Sequence, residues 1–117
     1  MKENVRKFNK FANYLADEAR KISLYYFKRK IKIMSKQDKY FDPVTIADIN
    51  IQQKLHALIE KQYPAHSMIG EEESIIKDSE YEWCIDPIDG TKSFIQGVPL
   101  WGTLISLSKN NKIILGI

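Results

Sequence analysis

Trp83-Cys84-Ile85-Asp86-Pro87-Ile88-Asp89-Gly90-Thr91-Lys92-Ser93-Phe94 places two carboxylates three residues apart at the end of an apolar run, directly before a Gly-Thr step that can start a short helix. The apolar start predicts a buried strand. Along a continuing strand, side chains at i and i+3 point to opposite faces, so Asp86 and Asp89 converge only if the chain turns between them. Pro87 is expected to supply that turn by fixing its own φ and ending the ladder. Gathered in this way, the aspartates suit a hard divalent cation such as Mg²⁺. The N–H groups of Gly90, Thr91 and Lys92, at a helix start, suit an anion. The loop is written for metal and phosphate together.

Two further acidic segments precede it: Asp42-Pro43-Val44-Thr45-Ile46-Ala47-Asp48 and Ile69-Gly70-Glu71-Glu72-Glu73. Each has a plain alternative. Thr45-Ile46-Ala47-Asp48 fits a helix capping box, in which Asp48 would only satisfy a helix N-terminus. The glutamates alone would read as a solvated loop, and Asp86-Pro-Ile-Asp89-Gly as a turn. Their joint occurrence argues for a site. It is not an EF-hand, since the alternating acidic ligands and the distal glutamate are missing.

D-P-V-T-x-A-D, I-G-E-E and D-P-I-D-G-T, in that order, resemble the inositol monophosphatase family of Mg²⁺-dependent phosphomonoesterases, over roughly residues 5 to 117. The stretch from Gly90 to Ile105 is most similar to the histidinol-phosphatase branch. The resemblance implies that Glu71 binds a first Mg²⁺ with Asp86 and the Ile88 carbonyl, and that Asp86 and Asp89 bridge to a second, so two or more ions are expected. Thr91, hydrogen-bonded to Asp48, would orient or deprotonate the attacking water, and the Gly90 and Thr91 amides would hold the phosphate. The substrate would be a small phosphorylated alcohol, of the inositol monophosphate or histidinol phosphate type, hydrolysed without a covalent enzyme intermediate. Many family members also place a lysine near the metals, a role open here to Lys36 or Lys39.

Family members are considerably longer, with a second α/β domain. The resemblance therefore implies that residues 1–117 are an amino-terminal metal-binding domain whose partner domain is absent, and that a further aspartate and the groups gripping the alcohol come from that domain. The alternative is a catalytically inactive truncated fragment that binds metal or a partner chain.

At 117 residues and 44% hydrophobic, the chain can bury one core. Val5, Phe8, Ala12, Leu15, Ala19, Ile22 and Tyr26 recur at steps of three and four, predicting a helix over 3–29. A second is expected over 45–62, with Ile51, Leu55, Leu58 and Ile59 on one face and Tyr63-Pro64 as its stop. Strands are expected at 67–70, 82–86, 101–108 and 112–117, with Asn110-Asn111 as a hairpin turn. Two helices followed by strands indicate an α+β fold, the helices lying on one face of a mainly antiparallel sheet. This agrees with the amino-terminal half of the layered αβαβα fold of the family.

The net charge of +3 conceals an asymmetry. Residues 1–40 carry 12 Lys and Arg against 4 acids, residues 41–117 carry 6 against 11, and the motifs lie in the acidic half. The basic run from Lys28 to Lys39 lacks the interleaved aromatics of a nucleic-acid surface and reads as a solvated helix end and loop. Cys84, the sole cysteine, allows no internal disulfide and is expected in the core between Trp83 and Ile85. His56 and His66 share no ligand spacing and read as structural. No run approaches the roughly 20 apolar residues of a membrane helix, and no signal-like core follows Met1, so a cytoplasmic location without membrane or nucleic-acid partners is expected. The apolar carboxy-terminal strands, with Leu104, Ile105, Leu107, Ile113, Ile114 and Leu115, predict a homodimer or other self-association through that region.

Overall fold

The computed structural model describes residues 2–29, 33–35, 43–71 and 73–117. The elements, in order, are α1 (Lys2–Tyr26), β1 (Ile33–Ser35), β2 (Pro43–Thr45), α2 (Ile46–Gln62), β3 (Ser67–Gly70), β4 (Ser74–Ile75), β5 (Tyr81–Asp89), α3 (Thr91–Ile95), β6 (Gly102–Lys109) and β7 (Lys112–Gly116). Lys36 and Lys39, the two candidates for a lysine near the metals, lie outside the described residues, as do Asp42 and Glu72.

The amphipathic period of α1 has the expected result: Phe8, Ala12, Leu15 and Ala19 are buried, Ile22 and Tyr26 are partly buried, and only Val5, at the outer end of the stripe, is exposed. α2 contributes Ile51, Leu55 and Ile59, all fully buried. Its start is the capping box foreseen in the sequence. Thr45 Oγ1 accepts from the amides of Ala47 and Asp48, and the Asp48 carboxylate accepts from the Thr45 amide at 2.8 Å. It ends at Tyr63, whose amide donates to the Ile59 carbonyl at 2.7 Å ahead of Pro64.

The main sheet has the order β4-β3-β5-β6-β7, and β1 pairs with β2 in a separate two-stranded ribbon. Pairings are antiparallel except β3 with β5, which run parallel from Ser67↔Glu82 to Gly70↔Ile85. The fold is therefore the expected α+β arrangement with one parallel pair, which needs the crossover that residues 71–80 provide. Asn110 and Asn111 both take positive φ, 51° and 66°, as a two-residue hairpin between β6 and β7 requires. α1 and α2 pack together over the face formed by Trp83, Ile85, Ile105 and Leu107, with Ile114 and Leu115 closing its edge. The opposite face is open. There Cys84, Leu104, Ser106, Gly116 and Ile117 line a shallow hollow of about 570 Å³.

One expectation is corrected here. Cys84 is exposed, not in the core. Side chains alternate across a strand, so the inward placing of Trp83 and Ile85 turns Cys84 outward. Of the carboxy-terminal apolar residues, Ile105 and Leu107 are buried and Ile114 faces the core, whereas Leu104 and Ile113 are 50% and 70% exposed. Both histidines, read from the sequence as structural, sit inside the protein. His66 Nδ1 accepts from Trp83 Nε1 at 3.1 Å and stacks against Tyr63 and Tyr81. His56 is buried, and its pKa is pushed down by that burial.

Candidate active site

The acidic motifs meet where β3, β5, α2 and α3 come together. Pro87 does not end the ladder as expected. β5 stays paired with β6 through Asp89, but between Asp86↔Leu104 and Asp89↔Gly102 it spends three steps against two on its partner. That is a β-bulge, and one extra residue restores two carboxylates at i and i+3 to the same side, where a regular pleat would oppose them. Thr103 Oγ1 donates to the Pro87 carbonyl at 2.8 Å and pins the bulge, while Ile88 anchors it in the core.

Gly90 then turns the chain into α3 with φ +90°. A side chain there would also collide with the neighbouring loop, since a Cβ would lie 2.6 Å from the Leu100 carbonyl oxygen. α3 is held by an aromatic cluster: Phe94 meets Trp101 edge-on at 5.0 Å, and Phe27 lies 5.6 Å from Phe94 and 5.2 Å from Trp101. The first amides of the helix, at Thr91, Lys92 and Ser93, have no intrahelical acceptor, as at any helix start.

Glu71, Asp86, Ile88, Asp89, Gly90 and Thr91 line one cleft of about 270 Å³, together with Lys92 and Ser93. Six of the seven residues singled out in the sequence are thus gathered at one opening. The seventh, Asp48, is buried behind it and joined through Thr91, whose Oγ1 lies 3.3 Å from Asp48 Oδ1 and 3.0 Å from the Ile88 carbonyl. The Lys92 and Ser93 side chains were not singled out. Their place directly after Thr91 in a one-turn helix was the available signal.

Electrostatically the cleft is strained toward negative charge. Asp86 is pushed up to about 7, first by burial, then by a hydrogen bond with Glu71 and by the charges of Glu71, Asp89 and Asp48. Asp86 Oδ1 is buried and has no hydrogen-bond partner among the described residues. Asp48 is raised as well, because burial outweighs the hydrogen bonds it accepts from Thr45 and Thr91. Burial and the Glu82 and Asp86 carboxylates together raise the Cys84 thiol.

The family model described as the inositol monophosphatase family matches residues 4–117. This chain belongs to the inositol monophosphatase family. It is 40% identical over 114 residues to bifunctional phosphatase IMPL2, chloroplastic, of Arabidopsis thaliana, covering 95% of this chain and 32% of that protein. It is 40% identical over 105 residues to a histidinol-phosphatase of Chlorobaculum parvum, covering 88% and 40% respectively. Among solved structures, an IMPase/NADP phosphatase complexed with Mg²⁺ and phosphate shares the fold, with TM-score 0.80 and 22% identity over 97% of this chain and 43% of that one. The chain thus spans 32% and 40% of the length of these two relatives. Among the described residues, no helix is long and apolar enough to cross a membrane.

Proposed function

We propose that this chain forms the metal- and phosphate-binding part of a Mg²⁺-dependent phosphomonoesterase acting on a small phosphorylated alcohol, of the histidinol phosphate or inositol monophosphate type. The observation that carries this reading is the meeting of Glu71, Asp86 and Asp89 at one cleft with the Asp48–Thr91 pair behind it.

The residues fit the ion. The donor set is oxygen only, as Mg²⁺ prefers: the Glu71, Asp86 and Asp89 carboxylates and the Ile88 carbonyl. Asp86 presents a buried oxygen without a donor, and burial with the neighbouring Glu71, Asp89 and Asp48 carboxylates pushes it up to about 7. Among the described residues no three acidic side chains are close enough to enclose an ion as they stand. Glu71 and Asp86 are instead hydrogen-bonded to each other. Metal would replace the proton they share, and like-charged carboxylates draw together once a cation lies between them. Asp86 and Asp89 would also hold a second such ion. When bound, Mg²⁺ supplies positive charge to the phosphoryl oxygens and acidity to water.

The chain's own residues do the remaining work. Asp48 Oδ1 and the Ile88 carbonyl compete for the Thr91 hydroxyl proton, so the Thr91 lone pairs are left facing the cleft, where they accept from a water and hold it in line with phosphorus. Asp48, raised by burial, is suited to take a proton passed through Thr91. The amides of Gly90 and Thr91 hold phosphoryl oxygens at the start of α3. No protein nucleophile is needed, and no covalent intermediate is expected.

Because the chain spans 32% to 40% of its relatives, a fragment that binds Mg²⁺ without turnover is the second reading. Phosphate release from histidinol phosphate and inositol monophosphate, with Mg²⁺ and with EDTA, separates them. Mg²⁺-dependent release supports the enzyme, and Mg²⁺ binding without release supports the fragment. Self-association through the open face of β5, β6 and β7 is part of the same proposal, supported by the exposed Leu104 and Ile113.

A further inference from the structure

α2 carries Asp48 in its first turn and Gln52 one turn later. Residues at i and i+4 lie on the same face of a helix, and both are buried, each 2% exposed. Gln52 lies against Gly70, the last residue of β3 and the one before Glu71. A Cβ built on Gly70 would stand 2.3 Å from Gln52 Oε1, 2.6 Å from Gln52 Cδ and 2.6 Å from the Glu73 carbonyl oxygen. The positive-φ glycines are Gly90 and Gly97, so Gly70 is required for room rather than for backbone conformation. Gln52 fills the notch left by the missing side chain, at the point where the strand gives way to Glu71.

This contact completes a ring. The parallel pairing Gly70↔Ile85 brings Glu71 alongside Asp86, and Thr91 ties the segment after β5 back to Asp48 on α2. The join between α2 and the end of β3 is made by Gln52 against Gly70. Without it, the end of β3 would be held by its neighbouring strands β5 and β4 and not by α2, and Glu71 could shift relative to the Asp48–Thr91 pair. We propose that Gln52 is a positioning residue for the metal-binding end of β3, setting where Glu71 stands relative to Asp86 and to Asp48. This inference rests on the Mg²⁺ site proposed above. Gln52 touches neither metal nor substrate and acts through Glu71.

A pure packing role for Gln52 predicts lower stability and unchanged Mg²⁺ affinity of the folded molecules. Positioning predicts weaker Mg²⁺ binding by molecules that remain folded. The test is calorimetric titration of the 117-residue chain with MgCl₂, alongside thermal unfolding in EDTA, for wild type, Gln52→Ala, Gln52→Asn and Asp86→Asn. Gln52→Ala should weaken Mg²⁺ binding about 10- to 100-fold, the usual scale for residues that orient metal ligands. Gln52→Asn keeps the amide, retracts it by one methylene and is the variant expected to fold if Gln52→Ala does not. It should weaken binding about tenfold on the same scale. Unchanged affinity in folded Gln52→Asn, with binding lost in Asp86→Asn, would overturn the inference and leave the metal site standing. Absence of Mg²⁺ binding by wild type would remove both.

Discussion

Thr91 Oγ1 lies 3.3 Å from Asp48 Oδ1, across 43 positions of sequence, while the other oxygen of the same carboxylate accepts from the Thr45 amide and hydroxyl at 2.8 and 2.6 Å. Capping and the proposed chemistry therefore need not compete for Asp48, since each would use a different oxygen. Thr45→Ala should cost about 0.5–2 kcal/mol of stability, the usual loss for a helix cap, and should leave turnover per folded molecule nearly intact. Thr91→Ala and Asp48→Asn should each lower turnover about 10²-fold or more. If they act as one unit, as proposed, the double variant should be little worse than either single one. Urea unfolding and phosphate-release assays on the same preparations check both halves, and additive losses would show that the two residues work independently.

The pH dependence of the metal-free chain follows from Asp86. Its pKa in the folded protein, about 7, lies above the 3.8 of an ordinary aspartate. The folded state therefore binds a proton that the unfolded state has released, and stability falls over that interval. The contribution is fully present below about pH 4 and is lost as the pH rises through about 7. Chemical unfolding in EDTA across pH 4 to 8 should show this decline. Asp86→Asn should flatten it and should not lower stability at pH 8.

Much of this was legible from residues close in sequence. The three-and-four spacing from Phe8 to Ala19, the Thr45–Asp48 box and the Asn110-Asn111 turn are each local, and each took the expected form. The bulge was not legible. Pro87 equally suits a strand end, and only pairing of β5 with Gly102 and Leu104 shows that the ladder continues. Cys84 was misplaced because an apolar run was read as buried on both faces, although helices cover one. β1, β2 and β4 have two or three residues each and carry no periodic signal. Gln52 carries no signal in the sequence, and the role proposed for it depends on Gly70, 18 positions later, having no side chain.

Gly90→Ala would force a Cβ onto a residue at φ +90° and against the Leu100 carbonyl oxygen. The conformational strain alone costs about 1–3 kcal/mol, and the collision adds to it. A drop in the urea midpoint is the expected outcome, with an unchanged slope because the unfolded state is the same. A midpoint equal to wild type would mean that α3 starts differently from the geometry described.

Leu104 and Ile113 should mediate self-association. At tens of micromolar the chain should sediment as a dimer or larger species, and Leu104→Lys with Ile113→Lys should return it toward monomer without loss of helical circular dichroism, since both residues are exposed. Ile114→Lys should instead destabilise the fold, because Ile114 packs against the core. A wild-type monomer across that range would remove the open face as an interface.

The most direct test is the affinity of the chain for Mg²⁺ itself, measured calorimetrically at pH 6.5 for wild type and Asp86→Asn. The carboxylate cluster predicts saturable binding by wild type, accompanied by proton release because Asp86 and Glu71 give up the proton they share, and loss of nearly all of that binding in Asp86→Asn. Equal binding by the two proteins, or none by wild type, would contradict a metal site built on Glu71, Asp86 and Asp89.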